Sequence, residues 1–182
     1  MSETFDESAE TGNEENTRIP VMQKVLDNPF LLLQEYLPGP EYTVAVVGNP
    51  GIELIALPPV QIDFSSLGNR RAPILTYESK SDPHSLCWRL VHLRQSDPGP
   101  LNGQMMAHAR RLFQRLGCRD YARFDFRVDR DGTPRLIDVN AHPMWGEEGM
   151  LANAARYGGY GYAQLFECIL QAAQLRLGLA DD

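Results

Sequence analysis

Apolar residues fall in two kinds of run along this chain. Between residues 30 and 57 the runs are short and rich in β-branched side chains. "FLLLQEYL" (30–37) reads as a buried strand and "PGP" (38–40) as a tight connection; "EYTVAVVGN" (41–49) and "IELIAL" (52–57) read as strands joined at Asn49-Pro50-Gly51. Several strands ahead of the first long helical pattern predict an antiparallel sheet. Residues 58 to 100 hold six prolines, Pro58, Pro59, Pro73, Pro83, Pro98 and Pro100, with little periodicity, which predicts a long irregular segment. From Gln104 to Leu116 the period lengthens: Met105, Ala109, Leu112, Phe113 and Leu116 form a helical stripe, and Gly117 is a plausible stop. A hairpin, a loop ("AHPMWGEEGM"), a short helix ("LANAARYG") and a second amphipathic helix follow. The last runs from Tyr162 to Leu177, with Leu165, Phe166, Ile169, Ala173 and Leu177 on one side. A further short helix is predicted around Met22 to Asp27, and no internal repeat is visible.

The hairpin, "RFDFRVDRDGTPRLIDVN" (123–140), carries the first hint of chemistry. Asp131-Gly132 is a strong signal for a two-residue type I′ turn, which needs φ > 0 at both central positions. Such a turn pairs Arg130 with Thr133, Arg127 with Leu136, Asp125 with Asp138, and Arg123 with Asn140. Alternation then places Ala122, Phe124, Phe126 and Val128 on one face, opposite Ile137 and Val139. The other face carries Arg123, Asp125, Asp138 and Asn140. Directly opposed like charges destabilise a strand pair by a few tenths to about 1 kcal/mol, so a positive group is expected there. A divalent metal is one solution; a solvated face whose acids are offset by Arg123 and Arg127 is the other.

Length and composition narrow the class. The 182 residues suit one domain, and 43% hydrophobic content supports a packed core. Much of the net charge of −7 lies in residues 1 to 18, where six acids stand against one Arg. Residues 1–20 are therefore predicted to be a disordered acidic tail. No signal-peptide pattern and no apolar run of membrane-spanning length are present, which predicts a soluble cytoplasmic protein with no membrane partner. Cys87, Cys118 and Cys168 are widely spaced and read as reduced thiols rather than a zinc site or disulfide framework. No basic stripe interleaved with aromatics appears, so nucleic acid is not an expected partner. His84, His92, His108 and His142 lack ligand spacing, and "DRDGT" fails as a calcium loop because Arg127 occupies a required oxygen position.

With these residues in view, a resemblance can be stated. "YARFDFRVDRDGTPRLIDVNAHP" resembles the metal-binding end of ATP-grasp ligases, particularly the D-alanine–D-alanine ligase branch, whose pattern is approximately A-R-x-D-F…G…L-x-E-x-N-x-x-P. "LLLQEYLPGPEYTVAVVGN" resembles that family's hinge strand and the Glu-bearing strand after it. "LTYESKSDP" is similar to its Tyr-x-x-Lys segment, and "NAARYGGYGYAQLFECIL" to its terminal helical region. These blocks run in the family's order over about residues 29 to 178. The resemblance implies an α+β fold over residues 21–182: the C-terminal lobe of ATP-grasp, mainly an antiparallel sheet packed against helices. It implies no counterpart here of the N-terminal substrate domain or the small lobe.

Residue by residue, the resemblance implies that Asp125, Asp138 and Asn140 ligate Mg²⁺ or Mn²⁺ bridging the phosphates of ATP. Asp138 stands where the family usually has Glu. Arg123 would face the transferring phosphoryl group, and Lys80 would be a phosphate-side lysine on a mobile loop. Glu41 matches the acid that binds the ribose hydroxyls; Gln34, Glu35, Tyr36 and Leu37 match the hinge that meets adenine. The implied activity is ATP-dependent joining of a small-molecule, amino-acid-like carboxylate to an amine through an acyl-phosphate. Met144 and Gly149 stand where the ligase branch has Gly and Ser, so the resemblance carries the ligation chemistry rather than D-Ala–D-Ala specificity. The alternative is a non-catalytic or split ATP-grasp fragment, a nucleotide-binding subunit or interaction module, with a separate chain supplying the missing half.

Overall fold

The computed structural model describes residues 34–70, 72–75, 84–85 and 89–179. The expected tail (1–20), the helix near 22–27 and residues 30–33 of the first expected strand lie outside them. The chain divides into two compact units, Met1–Tyr36 and Leu37–Asp182. Residues 34–36, all that is described of the first, are exposed and not in a strand. The buried strand expected over 30–37 is thus corrected in its described part, where Gln34 and Glu35 break the apolar run and Pro38 has no N–H for a ladder.

The second unit is built on β1 (Glu41–Asn49), paired antiparallel along one edge with β5 (Tyr121–Val128). Its other edge is shared, the C-terminal half by β2 (Glu53–Ala56) and the N-terminal half by β3 (Val60–Asp63). Between the Val46–Ala56 and Thr43–Val60 pairs, two residues of β1 face three of its neighbour, a bulge holding Pro58 and Pro59. Neither proline can donate to the ladder, and a bulge is one of the few places in a sheet that tolerates them. Leu57 N–H still reaches the Ala45 carbonyl at 2.8 Å. With β4 (His92–Gln95) on β3 and β6 (Pro134–Asn140) on β5, the order is β4-β3-β1-β5-β6. The segment expected to be irregular from 58 to 100 therefore supplies two strands and a 3-10 stretch, Ser65–Arg70. Four-residue strands are too short to show a period of their own.

Strand alternation sorts the side chains into two layers. Val44 and Val46 join Ala122, Phe124, Phe126 and Val128 against α1 (Pro100–Arg115), which contributes Met105, Ala109 and Phe113. Pro100 opens that helix four residues before the predicted start, at a position where its missing N–H has no intrahelical partner to lose. On the opposite face Ala45, Val47, Leu57 and Val60 pack on α2 (Met150–Tyr157) and α3 (Tyr162–Leu177) through Leu151, Ala154, Ala155, Leu165 and Ile169. Ala172, rather than the expected Ala173, completes the buried side of α3, and Leu177 is exposed. Farther along this second face the apolar residues give way to Thr43 and Glu41 on β1 and to Arg123, Asp125 and Arg127 on β5.

Candidate functional site

The hairpin between β5 and β6 departs from its predicted form twice, and the departures cancel. Gly132 has φ 79°, but Asp131 is not among the positive-φ residues, so the turn is not type I′. Instead Gly132 N–H donates to the Asp129 carbonyl (3.2 Å) and Asp129 N–H to the Thr133 carbonyl (2.9 Å), leaving a three-residue loop. The Asp129 carboxylate secures it, accepting from the N–H groups of Asp131 (3.0 Å) and Thr133 (2.9 Å) and from Arg135 Nε (2.7 Å). The Thr133 bond foremost, then that of Arg135, holds Asp129 below the usual carboxylate range. Arg127 consequently faces Arg135 and Phe126 faces Leu136, in place of the expected Arg127–Leu136 and Arg130–Thr133 pairs. Ile137 is then an extra residue on β6, and beyond it Asp125 faces Asp138 and Arg123 faces Asn140 as predicted. Ile137 itself, expected on the core face, is 45% exposed.

Pairing of β5 with β1 adds a third row. Thr43 lies opposite Asp125 and Glu41 opposite Arg127. The buried Thr43 hydroxyl donates to Asp125 Oδ1 at 2.6 Å. Arg123 grips the same carboxylate with two bonds, Nε to Oδ1 at 2.9 Å and Nη2 to Oδ2 at 2.8 Å. One step along the strand, Arg127 Nη1 donates to Glu41 Oε2 (2.9 Å) and to the Pro73 carbonyl (2.8 Å), while its Nε donates to the Leu37 carbonyl (2.6 Å). The guanidinium also lies 6.0 Å from the centre of the Phe64 ring. Asp138 is exposed, its Oδ1 accepting from Val139 N–H at 2.9 Å, and Asn140 Oδ1 accepts from His142 N–H at 3.0 Å.

The structure thus gathers Arg123, Asp125, Asp138 and Asn140 at one end of the hairpin, with Leu37 and Glu41 joined through Arg127. Gln34, Glu35 and Tyr36 belong to the other unit, and Lys80 lies outside the described residues. Sequence reasoning missed Thr43, and it treated Arg127 as a partner of the hairpin acids rather than of Glu41. The available signal was that Thr43 shares a face with Glu41. Using it required the β1–β5 pairing, which no local pattern contains.

Two side-chain assemblies brace the surroundings. Tyr121, two residues before Arg123, contacts His142 (Oη to Nδ1, 3.3 Å) and Trp145, and Trp145 meets Phe166 of α3 edge to face, with ring centres 5.1 Å apart. His142 is therefore part of an aromatic cluster fixing the loop after Asn140. At the far end of β1, Asp120 binds Arg176 of α3 through two bonds (2.9 and 2.7 Å) and accepts from Asn49 Nδ2 (2.9 Å). The Arg176 hydrogen bond foremost holds the Asp120 carboxyl below its ordinary range. Cys118 and Cys168 are free thiols, and burial pushes Cys118 upward.

The donor set at the hairpin suits a hard divalent cation: two opposed carboxylates and a nearby amide, all oxygen. Among the described residues no group of three or more His, Cys, Asp or Glu side chains is arranged for a metal, so a site at the hairpin draws on the Asn140 amide oxygen beside its two carboxylates.

These features define the class: an α+β lobe whose central sheet carries a row of paired acids and arginines beyond the apolar contacts of its helices. The family model for the D-ala D-ala ligase C-terminus matches residues 12–171, and the chain belongs to that family. It is 32% identical over 149 residues to the uncharacterized protein y4sG of Sinorhizobium fredii, covering 80% of this chain and 41% of that one. Against the D-alanine–D-alanine ligase of Pelotomaculum thermopropionicum it is 29% identical over 156 residues, covering 84% and 44%. Among solved structures, the D-alanine–D-alanine ligase from Bacillus anthracis complexed with ATP superposes with a TM-score of 0.60 at 19% identity, over 92% of this chain and 50% of that one. The ligase from Coxiella burnetii gives 0.61 at 18% identity, over 92% and 41%. The fold is therefore that of the C-terminal ATP-grasp lobe, and the chain spans roughly half or less of each of these proteins.

Proposed function

We propose that this chain forms the nucleotide- and metal-binding lobe of an ATP-dependent carboxylate–amine ligase. The observation that carries the reading is the opposition of Asp125 and Asp138 beside Arg123 and Asn140 on one face of the central sheet. Asp125, Asp138 and Asn140 would hold Mg²⁺, or Mn²⁺ in its place, and the ion would neutralise the phosphate charge of ATP. Arg123 would supply positive charge where negative charge develops on the transferring phosphoryl group and on the acyl-phosphate. Glu41, set by Arg127, receives the ribose hydroxyls. By their match to the family's pattern, Gln34, Glu35, Tyr36 and Leu37 are assigned to adenine and Lys80 to the phosphates. Positioning and charge stabilisation suffice for this chemistry, so no nucleophilic side chain is needed. The substrates are an amino-acid-like carboxylate and an amine, joined with release of ADP and phosphate in a cytoplasmic setting. Residues 21–182 act as this lobe.

A second reading is favoured by a specific observation: Asp125 and Glu41 are each closed by an arginine. On that reading the lobe is a nucleotide-binding subunit without chemistry of its own. Calorimetric titration with ATP, once with excess Mg²⁺ and once with chelator, tests the site common to both. Binding is expected only with Mg²⁺, and Asp125→Asn should weaken it by roughly tenfold or more, a conservative reading of one lost charge-assisted contact. Equal or tighter binding by that variant would remove the assigned site. Release of phosphate with amino-acid pairs separates the ligase from the subunit.

A further inference from the structure

Asp125 is the most enclosed of the three proposed metal donors, and its carboxylate is already engaged on both oxygens. Three donors converge on it: Thr43 Oγ1 and Arg123 Nε on Oδ1, and Arg123 Nη2 on Oδ2. The Arg123 and Asp125 side chains are each only 11% exposed. A carboxylate offers about four acceptor positions in its plane, so three N–H and O–H donors leave little for a cation. A second positive charge entering beside a largely desolvated guanidinium would also be repelled by it. Occupancy of Asp125 by Arg123 and by a metal is therefore competitive.

We propose that Arg123 is a built-in substitute for the divalent cation, closing Asp125 until the cation takes its place. Uptake of the ion and release of the guanidinium are one exchange. Thr43 behaves differently: it sits on the neighbouring strand, is buried, and engages Oδ1 alone. It holds that oxygen in both states and leaves Oδ2, on the bond that Arg123 gives up, for the ion. Thr43 is thus a positioning residue for the metal site. A phosphate group brought in with the cation supplies the released fork with a new anionic partner, so cation and nucleotide each make room for the other. This inference rests on the metal-binding reading above.

The test uses the full chain and Mn²⁺ alone, with free Mn²⁺ followed by electron paramagnetic resonance. Arg123→Met should bind Mn²⁺ about tenfold tighter than the parent chain, the size expected when one charge-assisted competitor is removed. Arg123→Lys, a point charge that cannot fork, should fall between them. Thr43→Val should bind several-fold more weakly. Added Mn²⁺ should raise the melting temperature of Arg123→Met more than that of the parent, and Asp125→Asn in the same background should abolish the gain. Should the Met variant fail to fold, the Lys variant carries the same comparison. A pairing that is only structural would lower stability and leave Mn²⁺ affinity unmoved, and that result overturns the exchange. If the parent chain takes up Mn²⁺ with ATP but Arg123→Met shows no tightening, the metal site stands and the exchange falls. Absence of Mn²⁺ uptake by every variant, with and without ATP, overturns both.

Discussion

Arg127 ties three stretches of the second unit together: the Glu41 carboxylate on β1, the Leu37 carbonyl before it, and the Pro73 carbonyl after β3. Its side chain is 7% exposed and that of Glu41 8%, so neither charge is shielded by water when the other is removed. Breaking a buried pair by deleting one partner typically costs about 3–5 kcal/mol. Arg127→Met should lose stability of that order in urea unfolding, and adding Glu41→Gln should restore part of it by removing the buried charge that Arg127 had faced. A Met variant as stable as the parent would show that the pair is idle. At this scale the sequence makes the residue types legible but not their partners. Asp125 and Asp138 could be matched across a hairpin because both arms lie within 18 residues. Glu41 and Arg127 meet only through a strand pairing 86 residues apart.

Among the elements, α3 is held to the sheet by a polar fastening as well as by its apolar side. Asp120, at φ 65°, binds Arg176 and Asn49 and donates its own N–H to Asn49 Oδ1 at 3.1 Å. Because its folded pKa is depressed, its contribution to stability is fully present above the unfolded value of about 3.9 and is lost as pH falls through the depressed value. Melting temperature should therefore fall on acidification below that point. Asp120→Asn, which tolerates the left-handed backbone, should melt lower at neutral pH and show a flatter acid slope; an unchanged slope would assign the acid sensitivity elsewhere. The longer elements were well marked in the sequence: the limits of β1 and α3 follow from β-branched and helical periods. Register in the hairpin was legible near the site only because a longer turn and the Ile137 bulge offset each other. A two-residue Asp-Gly turn and a three-residue turn ending in Gly share the same letters, and only the backbone angle at Asp131 separates them.

For the molecule as a whole, strand order was the least legible feature, since β3 and β4 are too short to announce themselves and β1 takes β5 as a neighbour from 82 positions away at the Thr43–Asp125 pair. No helix among the described residues is long and apolar enough to cross a membrane. If the lobe takes up nucleotide by itself, mass action requires that MgATP at about 100 times its dissociation constant stabilise the fold by roughly 2.7 kcal/mol. A rising melting temperature that chelator reverses is the expected result; a flat titration would mean that this lobe needs a second one to hold the nucleotide. The Thr43–Asp125 contact has one more consequence. Its hydroxyl and carboxylate stand 82 positions apart, so the step that forms it must first close a long loop. Contacts of that span are slow to form. A chain stalled before β1 meets β5 would carry Asp125 and Asp138 on a bare hairpin, with no Thr43 to hold the carboxylate. The complete site, Thr43 included, therefore cannot precede the pairing of β1 with β5.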